Sequence, residues 1–378
     1  MAMILNDDQA MLRDTARDFI ASEAPVAHLR QLRDTHCDDG FSHDLWKQFA
    51  EMGFTAILIP QADGGMGMGH VEAGIVLEEI GRNLTASPFL TTAVAAVEAL
   101  KASGKTTQQR YYPGIIAGEI VIALGIDEGA KHMPAKIGCV AERSGNGFKL
   151  SGRKQFVVQG ASADMLIIAA RTAGAPGETN GVTLFAVDKD SAGLSMDSVR
   201  LVDSAMAAHV KLDGVEVTAD AVIGEVDGGW NILCKILDAG RIGAAAEMVG
   251  VGGGAMDMTL DYLKQRKQFG QLIGAFQALQ HRAAHLYGEM EGARSIVLKA
   301  QNLLDDGDKR AAMFVAAAKA KAGLACNLAV REGVQMHGGM GMTDAYDIGL
   351  YMKRDRSLNE FFGDVYFHAD QVARMNGY

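Results

Sequence analysis

The chain has 378 residues, which is enough for two or three domains with substantial cores. Hydrophobic residues make up 48% and charged residues 22%, as in an ordinary globular protein. The formal net charge of −10 and the lack of any dense lysine or arginine run argue against a nucleic-acid-binding protein.

The first residues and the cysteines give expectations about location and metal content. Asp7 and Asp8 make the N-terminus acidic where a signal peptide would be basic, so no export signal is expected. No window of about 18 uninterrupted apolar residues occurs, so we expect no insertion into a membrane. The four cysteines are scattered without a C-x-x-C pair, which predicts reduced thiols in the cytoplasm and no bound metal.

Residues 1–118 have the pattern of helices joined by short loops. Asn6 precedes a first helix and is a suitable N-cap, and the apolar residues after it recur at helical spacing. A further helix ends at Gly53, the glycine-rich stretch 61–69 is a loop, and residues 71–80 restart a helix. We therefore predict an N-terminal all-α domain.

Residues 119–227 consist instead of short β-prone runs. Glycine-containing turns separate these runs, and no long helix lies between them, which predicts a small, mainly antiparallel barrel or sandwich. The predicted strands are residues 120–124, 148–150, 156–158, 166–169, 183–187 and 210–212.

Residues 228–378 return to the helical period. Four helical stretches predict a C-terminal four-helix bundle, and with the preceding parts they give an α+β fold. The predicted helices are residues 230–265, 275–305, 308–337 and 344–356.

Residues 250–255 (GVGGGA) fit the G-x-G-x-x-A pattern of dinucleotide-binding sites. That pattern requires a strand before it and a helix that begins at it, whereas residues 236–249 are already helical in pattern. We therefore predict that these small residues allow close helix packing or the approach of a ligand, and that they do not bind a nicotinamide cofactor.

Two motifs in the C-terminal part point to a different cofactor. Residues 266–270 read RKQFG and are followed by FQALQH at 276–281, and residues 335–341 read QMHGGMG. An arginine beside a glycine-broken turn suits a diphosphate, and a Gly-Gly pair lets the backbone approach a flat ligand. In order and separation these segments resemble the flavin-binding signatures of the acyl-CoA dehydrogenase family, and the resemblance covers essentially the whole chain.

The resemblance implies an FAD enzyme that oxidises an acyl-CoA thioester to the trans-2-enoyl-CoA and passes the electrons to an electron-transferring flavoprotein. It implies a cytoplasmic role in fatty acid or lipid catabolism, in a homotetramer or an α2β2 heterotetramer. The C-terminal segment is most similar to the small subunits of pimeloyl-CoA-type dehydrogenases. The implied fold has a helical domain, a middle β domain and a bundle of long helices.

The resemblance also assigns FAD contacts to individual residues. Arg266 and Phe269 match residues that reach the pyrophosphate and adenosine across a subunit boundary. In the β part, Phe156 stands where the family often has tryptophan beside the flavin ring, and Val158 replaces a common threonine; a plain core strand is the alternative for these two. Residues 126–129 match the family's flavin loop poorly. The implied cofactor residues are Arg266, Gln268, Phe269, Gln277, Gln335, Gly338, Gly339, Phe156 and Val158.

The catalytic base is missing from both places where the resemblance puts it. Family members remove the α-proton of the substrate with a carboxylate, and the matching positions here are Gly363 and Gly240. Glu247 lies seven residues after Gly240, on the same helix face, and some bacterial members, including subunits that act on sterol side chains, use a glutamate in this context.

Glu247 is therefore the candidate base. Its sequence neighbours are mostly small and apolar, so no neutralising partner is evident, and a solvated helix glutamate is the alternative. Asp364 and Glu360 are further candidates for the base. Arg241 would orient the base or the thioester, or form a structural ion pair.

Two other functions remain open at this point. The chain could be a non-catalytic or half-site subunit that completes the FAD site of a heterotetrameric acyl-CoA dehydrogenase. It could also keep the fold and act as an oxidase or monooxygenase.

Overall fold

The structure is a computed structural model, and it describes residues 4–378. The chain packs into two compact units, each made of separate stretches. The helical unit comprises Met1–Gln31, His70–Thr85 and Arg241–Tyr378, and the sheet unit comprises Leu32–Gly69 and Ala86–Gly240. This division does not decide the three domain boundaries given by the sequence, which stay a prediction.

Helices dominate the first third of the chain. Asn6 caps the first of them as predicted: its side chain accepts from the Gln9 amide at 2.8 Å, and the Gln9 side chain accepts from the Asn6 amide at 3.1 Å. A π-helix, Phe89–Ala96, leads directly into α5. The helices are α1 (Asp7–Glu23), α2 (Val26–Asp34), α3 (His43–Glu51), α4 (His70–Asn83), α5 (Val97–Lys101) and α6 (Lys105–Ile116).

The next part forms a single sheet of eight strands, mainly antiparallel as predicted. The strands are β1 (Ile122–Gly125), β2 (Val140–Ser144), β3 (Gly147–Val158), β4 (Met165–Arg171), β5 (Val182–Asp188), β6 (Leu194–Arg200), β7 (Met206–Val217) and β8 (Val222–Ile223). Their order is β6-β7-β3-β2-β4-β5-β8, and β1 pairs in parallel with β4.

Strand β3 differs from its prediction. The runs 148–150 and 156–158 are two ends of one strand of 12 residues, and its pairing with β7 shifts register between Lys154 and Val157. Such a shift is a β-bulge, which bends the strand and re-aims a side chain.

Long helices make up the remainder. The predicted bundle of four helices is incomplete, because a fifth helix follows Asp364, whose side chain accepts from the Phe367 amide at 2.8 Å. The elements are α7 (Gly229–Gln265), β9 (Lys267–Gln268), β10 (Gln271–Leu272), α8 (Gln277–Asp305), α9 (Ala311–His337), α10 (Ile348–Glu360) and α11 (Val365–Met375).

One segment, Ala311–Met342, is long and apolar enough to cross a membrane by length and composition alone. Its most apolar window is 56% buried inside the protein, and core helices of soluble proteins pass the same test. The segment is therefore weak evidence for a membrane span, and the expected lack of membrane insertion stays a prediction.

Helices α4 and α7 touch through their backbones. A Cβ atom added to Gly250 would lie 1.9 Å from the Glu78 carbonyl oxygen, and one added to Gly81 would lie 2.1 Å from the Glu247 carbonyl oxygen. The glycine run 250–255 lies inside the continuous helix α7, with no strand before it. It serves close helix packing, as the sequence predicted.

Candidate active site

Glu247 lies in the buried middle part of α7, and its side chain is only 2% exposed. Arg354 of α10 donates to Glu247 Oε1 from both Nε, at 2.7 Å, and Nη2, at 2.6 Å. Two charge-assisted bonds to one oxygen fix the orientation of the carboxylate. The alternative of a solvated glutamate is wrong, and so is the expectation that no group neutralises Glu247.

Helix α10 is anchored next to Arg354 by a second buried carboxylate. Asp355 accepts from Asn327 Nδ2 of α9 at 3.0 Å and from Asn359 Nδ2 at 2.8 Å. Burial raises the pKa of Asp355 above its usual value. Because the bond from Asn327 ties α10 to α9, it also helps to place Arg354, the preceding residue, relative to Glu247.

Gly363 occupies the position where the resemblance puts the usual base, and the backbone there is built for glycine. Its φ is +106°, in the region that disfavours side chains. A Cβ atom would lie 2.6 Å from Cδ1 of Phe367 and 3.0 Å from Nε2 of His368. A glutamate at this position would therefore be strained and would have to displace the side chains of Phe367 and His368.

The two remaining base candidates have structural roles. Asp364 caps α11 through the Phe367 amide. Glu360 forms an exposed ion pair with Arg356 at 3.0 Å. Glu247 is the candidate carboxylate that is both buried and held by a cation.

Arg241 contacts the turn that follows α10. Its Nε donates to the Phe362 carbonyl oxygen at 3.4 Å, and its guanidinium lies over the Phe367 ring at 5.5 Å. His368 Nε2 also donates to the Phe362 carbonyl, at 3.1 Å. These contacts give Arg241 a part in holding this turn, while its predicted role toward a base or thioester stays a prediction.

Lys319 of α9 completes the support of this turn. Its side chain is buried, and Nζ donates to the carbonyl oxygens of Leu358 at 2.8 Å and Gly363 at 3.2 Å. Burial, followed by repulsion from Arg241, lowers the pKa of Lys319 from 10.5 to about 7. The sequence reasoning missed this residue, although a lysine within an alanine-rich helical run (residues 316–323) was a visible signal.

The RKQFG motif forms the hairpin of β9 and β10. Phe269 and Gly270 both have positive φ, 52° and 81°, as a two-residue type I′ turn requires. Phe269 is 91% exposed at the tip, and within residues 4–378 the exposed Arg266 guanidinium forms no ion pair. Gln268 is also exposed, and its Nε2 donates to the Lys267 carbonyl oxygen at 2.7 Å. A projecting aromatic ring and an unengaged cation fit a bound diphosphate nucleotide.

The Gly-Gly segment is open to solvent. Gly338 ends α9 with φ 60° and ψ −140°, a conformation that only glycine adopts readily. In the described chain, no atom from another segment lies within 4 Å of a Cβ placed on Gly338 or Gly339. Gln335 and Gln277 are likewise exposed. This uncovered backbone fits the close approach of a flat ligand.

In the sheet unit, Phe156 lies in the bulge of β3. Its φ is 52°, which is uncommon for a bulky residue, and its side chain is 44% exposed. The ring packs edge-on against His209 of β7, with centroids 4.9 Å apart. Val158 pairs with Ala207 at the end of the strand and is half-buried. An aromatic ring held outward in a strained bulge is not a plain core residue, and it offers a stacking face.

Comparison with known proteins gives matches along nearly the whole chain. Three family models match: acyl-CoA dehydrogenase N-terminal domain at residues 6–119, middle domain at 127–215, and C-terminal domain at 227–376. The caffeyl-CoA reductase-Etf complex subunit CarC of Acetobacterium woodii is 31% identical, over 99% of this chain and 98% of its own length.

Solved structures match the fold over similar lengths. The structure named Tcur3481-Tcur3483 steroid ACAD, a variant, is 28% identical with a TM-score of 0.88, and 98% of each chain is covered. The glutaryl-coenzyme A dehydrogenase glutaryl-CoA complex is 25% identical with a TM-score of 0.92, over 100% of this chain and 96% of that chain.

Proposed function

The chain belongs to the acyl-CoA dehydrogenase family, and we propose that it oxidises the α,β carbon–carbon bond of an acyl-CoA thioester with the help of FAD. Its relatives are oxidoreductases that act on CH–CH groups, and so is this protein. The α+β fold predicted from the sequence, with an N-terminal helical, a middle β and a C-terminal helical domain, is confirmed.

The observation that carries the proposal is the buried pair of Glu247 and Arg354. A general base must be fixed within reach of the proton it removes, and the two bonds from Arg354 hold the Glu247 carboxylate in one orientation. In the proposed reaction Glu247 accepts the α-proton of the thioester. Arg354 stays bonded to the carboxylate and keeps it from turning away.

The proposed cofactor residues form two groups. In the helical unit the proposed contacts to the nucleotide end of FAD are Arg266, Gln268, Phe269, Gln277, Gln335, Gly338 and Gly339. In the sheet unit Phe156 and Val158 would lie along the flavin ring. Bound FAD would supply the acceptor for the β-hydride. The exposure of the hairpin tip at Phe269 supports assembly with another chain, as a homotetramer or an α2β2 heterotetramer.

The partner and the acyl group are proposed from the relatives. The name of CarC, a caffeyl-CoA reductase-Etf complex subunit, supports an electron-transferring flavoprotein as the partner and an aryl-substituted acyl group among the substrates to be tested. The steroid ACAD structure adds large ring systems to that range. A cytoplasmic location, without membrane insertion, is part of the same proposal.

A second candidate function is a half-site subunit. It is favoured by the steroid ACAD structure, whose name joins two different chains. In this case the protein would gain FAD only together with a different polypeptide.

The test is anaerobic titration of the purified protein with a panel of acyl-CoA thioesters. The panel contains butyryl-CoA, octanoyl-CoA, 3-phenylpropionyl-CoA and a sterol side-chain thioester. Bleaching of a bound flavin, without oxygen consumption in air, supports the dehydrogenase. Bleaching followed by rapid oxygen consumption and peroxide formation overturns it in favour of an oxidase. A colourless protein that acquires flavin only when mixed with a second chain supports the half-site subunit.

A further inference from the structure

A fully buried lysine lies two residues before Phe156, and the catalytic proposal does not use it. Lys154 is 0% exposed, although it belongs to the strand that carries the bulge. Its Nζ donates to Glu128 Oε1 at 2.7 Å and to the Ile126 carbonyl oxygen at 3.2 Å. Lysine is almost never fully buried unless it is paired, and Glu128 is the charged partner here.

Glu128 uses its carboxylate to organise the segment opposite Lys154. Besides the bond from Lys154, Oε1 accepts from the Cys139 amide at 2.9 Å, and Oε2 accepts from the Gly138 amide at 2.7 Å. Asp127 acts similarly, because it accepts from the Met133 amide at 3.0 Å and contacts His132 Nδ1 at 2.8 Å. Two adjacent carboxylates therefore shape the loop between β1 and β2.

The same loop is bonded to the start of the bulge. The Gln155 amide donates to the Asp127 carbonyl oxygen at 2.8 Å. On its other side, Lys154 is the last residue paired in register with β7, opposite Val210, before the shift that ends at Val157. The loop at residues 126–128 and the bulge are thus joined by one backbone bond and by the Lys154 side chain.

A buried ion pair is weak evidence for a stabilising role. Replacing a buried ion pair by apolar side chains of similar volume is often neutral or stabilising, because both charges lose their hydration on burial. A buried pair can instead fix one geometry among several. The geometry fixed here is that of the bulge, where Phe156 is held with φ of 52° and its ring outward.

We propose that Lys154 and Glu128 are positioning residues for the flavin ring: their ion pair holds the loop at residues 126–128 against β3 and so keeps Phe156 in its outward, left-handed conformation. This inference rests on the proposed FAD function. The sequence reasoning left this loop out of the candidate site because its residues match the family pattern poorly.

The test measures FAD binding to flavin-stripped protein by quenching of flavin fluorescence. Lys154→Met should raise the dissociation constant about five- to tenfold, the value of one lost aromatic stacking contact. Lys149→Met is the matched control, because Lys149 is an exposed lysine on the same strand, and it should change the constant less than about twofold. Glu128→Gln provides an independent variant should Lys154→Met fail to fold.

A double variant separates positioning from general destabilisation. If the two residues act as a pair, the double variant Lys154→Met, Glu128→Gln should bind FAD no more weakly than the single variant with the lower affinity. The visible absorption of the bound flavin should change in both single variants and in the double variant. Unchanged affinity and spectrum in folded Lys154→Met or Glu128→Gln overturn the inference while leaving the FAD proposal intact. Failure of the wild-type protein to bind FAD, alone or with a partner chain, overturns both.

Discussion

Arg354 donates two hydrogen bonds to one carboxylate oxygen of Glu247. The two residues lie on different helices and are 107 positions apart in the chain. The Glu247 side chain is 2% exposed and the Arg354 side chain 25% exposed, so the glutamate is buried while the arginine stays partly open to solvent. Arg354 compensates the charge of a buried carboxylate inside the helix bundle, so the proposed role of Glu247 as the base depends on this arginine.

Removal of Arg354 should therefore leave an uncompensated buried charge. Arg354→Met is expected to destabilise the protein by about 3 kcal/mol, seen as a lower thermal midpoint of the FAD-loaded protein. The control is Arg356→Met, which breaks an exposed pair with Glu360 and should cost less than about 1 kcal/mol. Addition of Glu247→Gln to Arg354→Met should restore most of the loss. Equal effects of the two arginine variants would contradict the importance of the buried pair.

Glu247→Gln should remove the proton acceptor and spare the cofactor. The variant is expected to retain FAD and to be reduced by substrate about 10²- to 10⁴-fold more slowly, the usual contribution of a general base. Stopped-flow bleaching with the best thioester of the panel measures this rate. Glu360→Gln is the control and should behave as the wild type. Should Glu247→Gln bleach at the normal rate, Asp364 becomes the candidate, and Asp364→Asn is the variant to measure.

A glutamate placed at the family's usual position should not rescue the reaction. Gly363 has φ of +106°, and a side chain there meets Phe367 and His368. We expect Gly363→Glu, added to Glu247→Gln, to lower the thermal midpoint and to leave bleaching as slow as in Glu247→Gln alone. Recovery of bleaching in the double variant would show that this turn can rearrange and admit a base.

Lys319 should make stability depend on pH above neutrality. Its folded pKa of about 7 lies below the unfolded value of 10.5, so between these two pH values the unfolded chain binds more protons. The free energy of unfolding should therefore rise with pH between pH 7 and pH 10.5, by at most about 1.4 kcal/mol per pH unit. Below pH 7 it should no longer depend on Lys319. In Lys319→Met this rise should disappear, whereas Lys321→Met, which removes a partly exposed lysine of the same helix, should keep it. Thermal midpoints between pH 6.5 and pH 9.5 measure the effect, and parallel curves for wild type and Lys319→Met would refute it.

Arg266→Ala should weaken FAD retention and oligomer formation together. A charge-assisted bond to phosphate contributes about 1.5–3 kcal/mol, so the dissociation constant of FAD should rise roughly 10- to 100-fold. Fluorescence titration and light scattering after gel filtration measure the two properties. Lys267→Ala is the control from the same exposed hairpin. If Arg266→Ala changes neither property, its proposed contact across subunits is wrong.

Local patterns in the sequence predicted much of the helical architecture. The capped start of α1, the full extent of α7 and the helical nature of the glycine run 250–255 all followed from caps and periodicity, which depend on neighbouring residues. The strands β2, β6 and β8 were not predicted, and two further errors arose where the chain departs from a regular repeat. The bulge between Lys154 and Val157 made one strand resemble two, and α11 was missed because it begins immediately after the turn at Gly363.

The sequence predicted residues of the candidate site but not the hydrogen bonds and ion pairs that join them. Glu247 was found from its helix position, but its partner Arg354 lies on another helix, and a contact between residues so distant leaves no mark on local composition. Lys319 and Lys154 were missed for a similar reason. Their acceptors are largely backbone carbonyls and a loop carboxylate, and sequence patterns do not show where those atoms point.

The close backbone contact between α4 and α7 at Gly81 has a consequence for the Glu247 carboxylate. A methyl group added to Gly81 would collide with the carbonyl oxygen of Glu247, at 2.1 Å. The segment of α7 that carries Glu247 would have to move to admit it. The position of the Glu247 side chain thus depends on a residue without a side chain on a different helix.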